Sequence, residues 1–161
     1  VRKYFGIRSR LPSSREGIGG SGVYALSEAG RRRFGKFPDV TADDTYVRLQ
    51  FGRAERETLP GVKSTVFAPR TLLRLIAVRA RAYRGTFELA QRFPELHVNK
   101  GEANNRALIA LFKEPHLWSG LLVYCGVNIV ARWRATTGSP RGARLWQRDE
   151  TSRAAPSDSI K

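Results

Sequence analysis

Asp43 and Asp44 are the only adjacent aspartates in a chain that carries 29 Lys and Arg against 14 Asp and Glu. Carboxylates set side by side among so many cations have two chemical uses. One of them can accept the proton of a hydroxyl as that oxygen attacks an electrophile, or the pair can contribute to a metal site. The plain alternative is structural. Acids are favoured in the first turn of a helix, where N–H groups lack partners and the helix dipole is positive. Residue types alone leave both readings open.

The other chemistry-bearing residues narrow the field. His97 and His116 have no Cys or carboxylate at ligand spacing, and they read as surface or capping residues. Cys125 is the single cysteine, which excludes an intramolecular disulfide and a cysteine zinc site. Gly17, Gly19 and Gly22 fit G-x-G-x-x-G, with Asp39 about twenty residues on. A dinucleotide site needs a strand before that turn and a helix after it. Here Ser13-Ser14-Arg15-Glu16 precedes and Val23-Tyr24-Ala25-Leu26 follows, so the stretch reads as a glycine turn entering a strand. The run Arg31–Arg33 is either a solvated face or a phosphate contact.

The elements that must position these residues follow from period and punctuation. Residues 1–16 read as a basic loop with a short strand at Tyr4–Ile7. Ser27 is an N-cap candidate for a turn through Gly30. Thr41 is an N-cap candidate for a helix carrying Tyr46, Val47 and Leu49, which places both aspartates in its first turn. Val62–Phe67 alternates as a short strand between Pro60 and Pro69. Over residues 71–92, Leu72, Leu75, Ile76, Ala80, Tyr83 and Phe87 share one helical face, with Arg74, Arg81 and Arg84 opposite. Residues 93–103 read as loop, and a helix resumes near Asn104 until Pro115.

Leu117–Ala131 then runs without charge between Trp118 and Trp133, with Arg132 and Arg134 following. It falls short of the ~20 residues that a spanning helix needs. It is either a buried core helix or a segment in the membrane interface. From Thr136 onward the composition is that of a disordered tail.

The formal charge of +15 and the sequence pI of about 11.1 call for an anionic partner: nucleic acid, lipid head groups or a phosphorylated substrate. The aromatic residues sit in apolar runs and are not interleaved with arginines, which disfavours nucleic acid.

One order of features is more specific than any single feature. A glycine-rich turn leads to Ser21-Gly22-Val23-Tyr24-Ala25-Leu26-Ser27 and an arginine turn. Phe34-Gly35-Lys36-Phe37-Pro38-Asp39 and then Ala42-Asp43-Asp44 follow. This order resembles the acceptor-side half of the inverting glycosyltransferases of family 2. The resemblance covers about residues 15–92, and Trp146–Arg153 is similar to the tail of some members.

Carried over by position, Asp43 stands where the family has Glu, and Asp44 stands where it has the catalytic Asp. The resemblance then implies that Asp44 is the general base toward the acceptor hydroxyl. It places Gly20, Ser21, Gly22, Arg81 and Tyr83 at the substrate. Arg81 lies four residues before Gly85, as in the family, but Val78 replaces the family's Gln and Ala82 its Trp. These departures favour a single transfer over polymer synthesis. No D-x-D occurs, and Glu55-Arg56-Glu57 puts a cation between its acids. The resemblance therefore implies that the donor-binding half lies on a separate piece. It assigns no metal or cofactor to this chain, and expects Mg or Mn only with that half.

The expected fold is α/β: part of a GT-A-like nucleotide-sugar domain over residues 1–92, a helical apolar segment over 93–135 and a basic tail over 136–161. The expected partners are a nucleotide-sugar, a hydroxyl acceptor, anionic membrane lipid and a separate donor half. The expected location is cytoplasmic, peripheral to the membrane face. The alternative is a non-enzymatic basic module that binds nucleic acid or anionic lipid.

Overall fold

The structure, a computed structural model, describes residues 1–14, 24–57, 61, 65–100 and 104–137. Six α-helices account for most of them: α1 (Arg2–Arg8), α2 (Glu28–Arg31), α3 (Asp43–Leu49), α4 (Leu72–Arg92), α5 (Asn105–Phe112) and α6 (Trp118–Thr137). Short 3-10 turns join them, the longest over Pro94–Asn99.

No strand forms among the described residues, which overturns the α/β, GT-A-like expectation. The physical reason is local. Tyr4 and Ile7, expected on a strand, are three residues apart and both buried, so a helix puts them on one face. Residues 24–27 and 65–69 lie in no helix, but neither stretch has a neighbouring strand to bond to. A strand is defined by its ladder, and an extended segment without one is only coil. Residues 62–64 of the second expected strand lie outside the described residues, as does the tail from residue 138.

The two long helices form the main core together with α1. Thr71 accepts the N–H of Arg74 through its hydroxyl at 3.3 Å and starts α4. Leu75, Ile76, Ala80, Gly85 and Leu89 form its buried face. Leu72, expected on that face, is exposed. On α6 the buried residues Gly120, Leu121, Val127, Ala131 and Ala135 carry the helix past the apolar run to Thr137. The α4–α6 pair is the most extensive helix contact, with α1 packed on α6.

Their shared core holds Tyr4, Leu75, Ile76, Ala80, Val127 and Ala131. Gly120 lets α1 approach: a Cβ there would stand 3.1 Å from Ile7 Cγ1. A second core joins Phe34, Ala42, Tyr46, Val47, Phe51 and Leu89. Rings of Phe34, Phe37, Tyr46 and Phe93 meet edge to face within it, at centroid separations of 5.1–6.0 Å.

Two arginines of the run, Arg31 and Arg33, pack on rings of this second core, and Arg32 stays at the surface. Arg31 donates to the carbonyls of Phe34 and Gly35 at 2.6 and 3.1 Å, and Arg32 pairs with Glu28. Arg33 stacks 4.9 Å from the Phe51 ring centroid and pairs with Glu55. Glu55 also accepts the Gly52 N–H at 2.7 Å. The Arg33 hydrogen bond, helped by that N–H, pulls the Glu55 carboxyl down to about 2. Glu55 thus serves as a clamp between the turn at Gly52 and the arginine turn.

Candidate functional site

The aspartate pair opens α3 as the sequence predicts, but not by the expected cap. The N-cap is Ala42, which has no side chain to give. The Thr41 N–H donates instead to Glu88 Oε2 on α4, at 3.1 Å. Burial pushes the Glu88 carboxyl up, but the Thr41 and Arg92 donors outweigh burial and hold it below its usual range.

The aspartates satisfy the start of their own helix. Asp43 Oδ1 accepts the Asp44 N–H at 2.9 Å, and Asp44 Oδ1 accepts the Thr45 N–H at 2.6 Å. Asp43 is exposed and Asp44 half-buried. Tyr24 lies close by: its phenol is pushed up by burial and by the charges of Asp43 and Asp44.

Gly85 brings the acidic pair against the arginine helix. A Cβ at Gly85 would stand 2.7 Å from Ala42 Cβ and 3.1 Å from Ala42 N. The residue before the aspartates is thus pressed into α4 one turn beyond Arg81, which is half-buried. Tyr83 is engaged elsewhere. Its hydroxyl donates to Asn128 Oδ1 on α6 at 2.8 Å, and its ring receives the guanidinium groups of Arg79 and Arg132 at 5.0 and 5.4 Å. Tyr83 lines a cavity with Thr45 and Arg48, and neither Asp43 nor Asp44 lines it. Gly20, Ser21 and Gly22 lie outside the described residues. Among the described residues, no three His, Cys, Asp or Glu side chains come together as a metal group.

The largest unassigned feature is on the far side of α6. Trp118, Leu122, Ile129 and Trp133 are 54%, 76%, 67% and 64% exposed. At 100° per residue these positions fall within an arc of about 60°, opposite the buried face. On α5, Ile109 and Phe112 are also exposed. Trp118 ties the two helices by donating its Nε1–H to the Phe112 carbonyl at 2.9 Å. Arg132 and Arg134 flank the stripe at the α6 end, and Lys113 lies beside it at the α5 end; all three are exposed. So α6 is apolar on both sides, one against α1 and α4 and the other uncovered. No helix among the described residues is long and apolar enough to cross a membrane. The sequence shows the bracketing tryptophans but not which of the apolar residues between them face outward.

Comparison with family models, characterised proteins and solved structures finds no match to this chain.

Proposed function

We propose that the chain is a peripheral module that attaches to anionic membrane through the uncovered face of α5 and α6. The exposed row Trp118, Leu122, Ile129 and Trp133 carries this reading. A helix of 20 residues is about 30 Å long. Laid flat, it presents apolar side chains to the acyl boundary and keeps its arginines at head-group level. Tryptophan suits that boundary, since its ring is apolar and its N–H is wet. The charge of +15 supplies attraction to anionic lipid, and the cytoplasmic leaflet, where such lipid concentrates, is the surface it fits. Flotation with vesicles tests the reading. Binding is expected with anionic vesicles at low salt, weaker binding as salt rises, and little with neutral vesicles. Failure to float with anionic vesicles at low salt would sink it.

A second reading is favoured by the packing of Ala42 on Gly85. That contact seats Ala42, the residue before the Asp43-Asp44 pair, against Gly85 on the helix of Arg81, and both stretches are among those on which the resemblance to family 2 glycosyltransferases draws. In this reading Asp44 accepts the proton of an acceptor hydroxyl, while a separate donor-binding half holds the nucleotide-sugar. The sheet of a GT-A-like domain is not part of it. Mixed with a donor-binding half that restores sugar transfer, the Asp44→Asn chain should be slower by about 10²–10⁴-fold, the usual worth of a general base. Undiminished transfer by that variant would remove Asp44 from the chemistry.

A further inference from the structure

Gly126 has no reason inside its own chain. Glycine is disfavoured in a helix interior. The other two glycines of the long helices are explained by close contacts: a Cβ at Gly85 would meet Ala42, and one at Gly120 would meet Ile7. A Cβ at Gly126 meets nothing within 4 Å. Gly126 lies instead in the exposed face of α6, and so does Ser119, one heptad earlier. Ser119, Leu122, Gly126, Ile129 and Trp133 follow one another at intervals of 3, 4, 3 and 4 residues, and all five are exposed. That is the spacing of a seam between two helices. A lipid surface asks for no register and gains nothing from gaps in an apolar row. A second helix does, because the large side chains of one need holes in the other.

We infer that in water this face is covered by α6 of a second copy, in an antiparallel pair whose two-fold axis passes through Gly126. In that register Gly126 faces itself, so the helices approach closely. Ser119 leaves room for Trp133 of the second copy, and Leu122 lies level with its Ile129 and Val130. Trp118 lies level with Arg134, which sets an indole against a guanidinium. Each contact occurs twice, as a two-fold interface requires. Charge sets the direction. A parallel pair would bring Arg132 and Arg134 of one copy against the same arginines of the other. The antiparallel pair separates them and turns them toward the end that carries Glu114, which is exposed. Trp118, Leu122, Ile129, Val130 and Trp133 are more than half exposed on average, and they offer roughly 450–750 Å² per copy. A stable pair buries about 800 Å² per partner, so this dimer forms reversibly.

The pair and lipid docking use one face and exclude each other, but the pair does not depend on lipid. Two copies at +15 each repel, and salt screens that repulsion. The dimer therefore strengthens as salt rises, the opposite of attachment to anionic vesicles. Below the dimer's Kd the copies are separate, and vesicle binding reads the open face alone.

Sedimentation velocity of the full chain without lipid tests this, from about 10 μM to about 1 mM and at about 0.1 and 0.5 M salt. A monomer–dimer equilibrium is expected, shifted toward dimer by concentration and by salt. Leu122→Ala with Ile129→Ala should raise the Kd about tenfold or more. Both side chains are about two-thirds exposed or more, so helix content and melting temperature should hold. Leu73→Ala, at an equally exposed apolar position on α4, should leave the Kd unchanged. Cross-linking tests the register in a Cys125→Ser chain. Gly126→Cys should link to itself on mild oxidation, since a disulfide needs Cα atoms about 4.4–6.8 Å apart. Ser119→Cys should not, because the two copies of that residue lie about 21 Å apart along the pair. Linking of Ser119→Cys as readily as Gly126→Cys would overturn the antiparallel register. A chain that stays monomeric throughout the series at both salts would overturn the pair, while lipid docking would still stand or fall on flotation.

Discussion

Replacing Trp118 and Trp133 together by alanine should weaken binding to anionic vesicles by about ten- to a hundredfold at low salt. Each tryptophan is more than half exposed, so its removal takes little from the core. In the attached state each ring would move from water to the acyl boundary. Full burial of a large apolar side chain is worth about 1.5–3 kcal/mol, and partial immersion of two rings gives roughly 1.4–2.8 kcal/mol in all. Each 1.4 kcal/mol is a factor of ten.

The double variant also separates lipid insertion from attraction by charge. The chain keeps its +15 with both tryptophans gone, so binding by charge alone would be unchanged. A nucleic-acid binder that meets vesicles only as a polyanion would behave in that way. Its affinity would fall steeply with salt and ignore the substitution. A membrane-docked α6 loses affinity to both changes. Vesicle co-sedimentation of the native chain and the variant, at two salt concentrations, distinguishes the two. Equal affinity of the two proteins at low salt would refute docking through α6.

What could be read in the chain depended on how local its cause was. The helix α4 was legible because Leu75, Ile76 and Ala80 of its buried row lie at helical spacing in one stretch of sequence. Ser27 was legible for the same reason: its hydroxyl accepts the Gly30 N–H at 3.1 Å, three residues on. The Asp43–Leu49 helix was placed correctly although its cap was not. Thr41 has the right side chain for a cap, but its N–H is taken by Glu88 from α4, a partner 47 residues away.

The expected strands failed for a related reason. Residues 24–27 and 65–69 carry strand-like composition, but a strand requires a partner that composition does not name. The lining of the cavity beside Tyr83, with Arg48, Lys100 and Arg132 in it, was illegible altogether. Arg48, Lys100 and Arg132 are far apart in sequence, none sits in a recognisable motif, and only the packing of α3, α4 and α6 gathers them. In Arg132 the sequence showed a basic flank to an apolar run; the structure adds its place over Tyr83.

Gly85 gives the largest expected effect on folding. Gly85→Ala should destabilise the chain by about 1–3 kcal/mol, and Gly85→Val by more, since forcing extra carbon atoms into close packing shifts backbone or side chains. Alanine is otherwise favoured over glycine in a helix interior by about 0.8–1 kcal/mol, so any loss at Gly85 is net of that gain. The contact is unforgiving because it involves backbone. The new Cβ would meet Ala42 Cβ at 2.7 Å and the Ala42 N and Cα at 3.1 and 3.4 Å, so no side-chain rotation can relieve it.

Gly126 is the matched control. It lies inside α6, and a Cβ there meets nothing within 4 Å, so Gly126→Ala should be neutral or stabilising by up to about 1 kcal/mol. Chemical denaturation of both variants gives the comparison. The consequence at Gly85 extends to α3, because Ala42 precedes Asp43 and the Thr41 N–H is held by Glu88 one turn further along α4. Pushing Ala42 away should therefore loosen the start of α3, seen as faster amide exchange at Tyr46 and Val47 in Gly85→Ala but not in Gly126→Ala. Equal stability of the two variants would mean that α3 is not seated on α4 through Gly85, and the second reading of the aspartate pair would lose the contact that supports it.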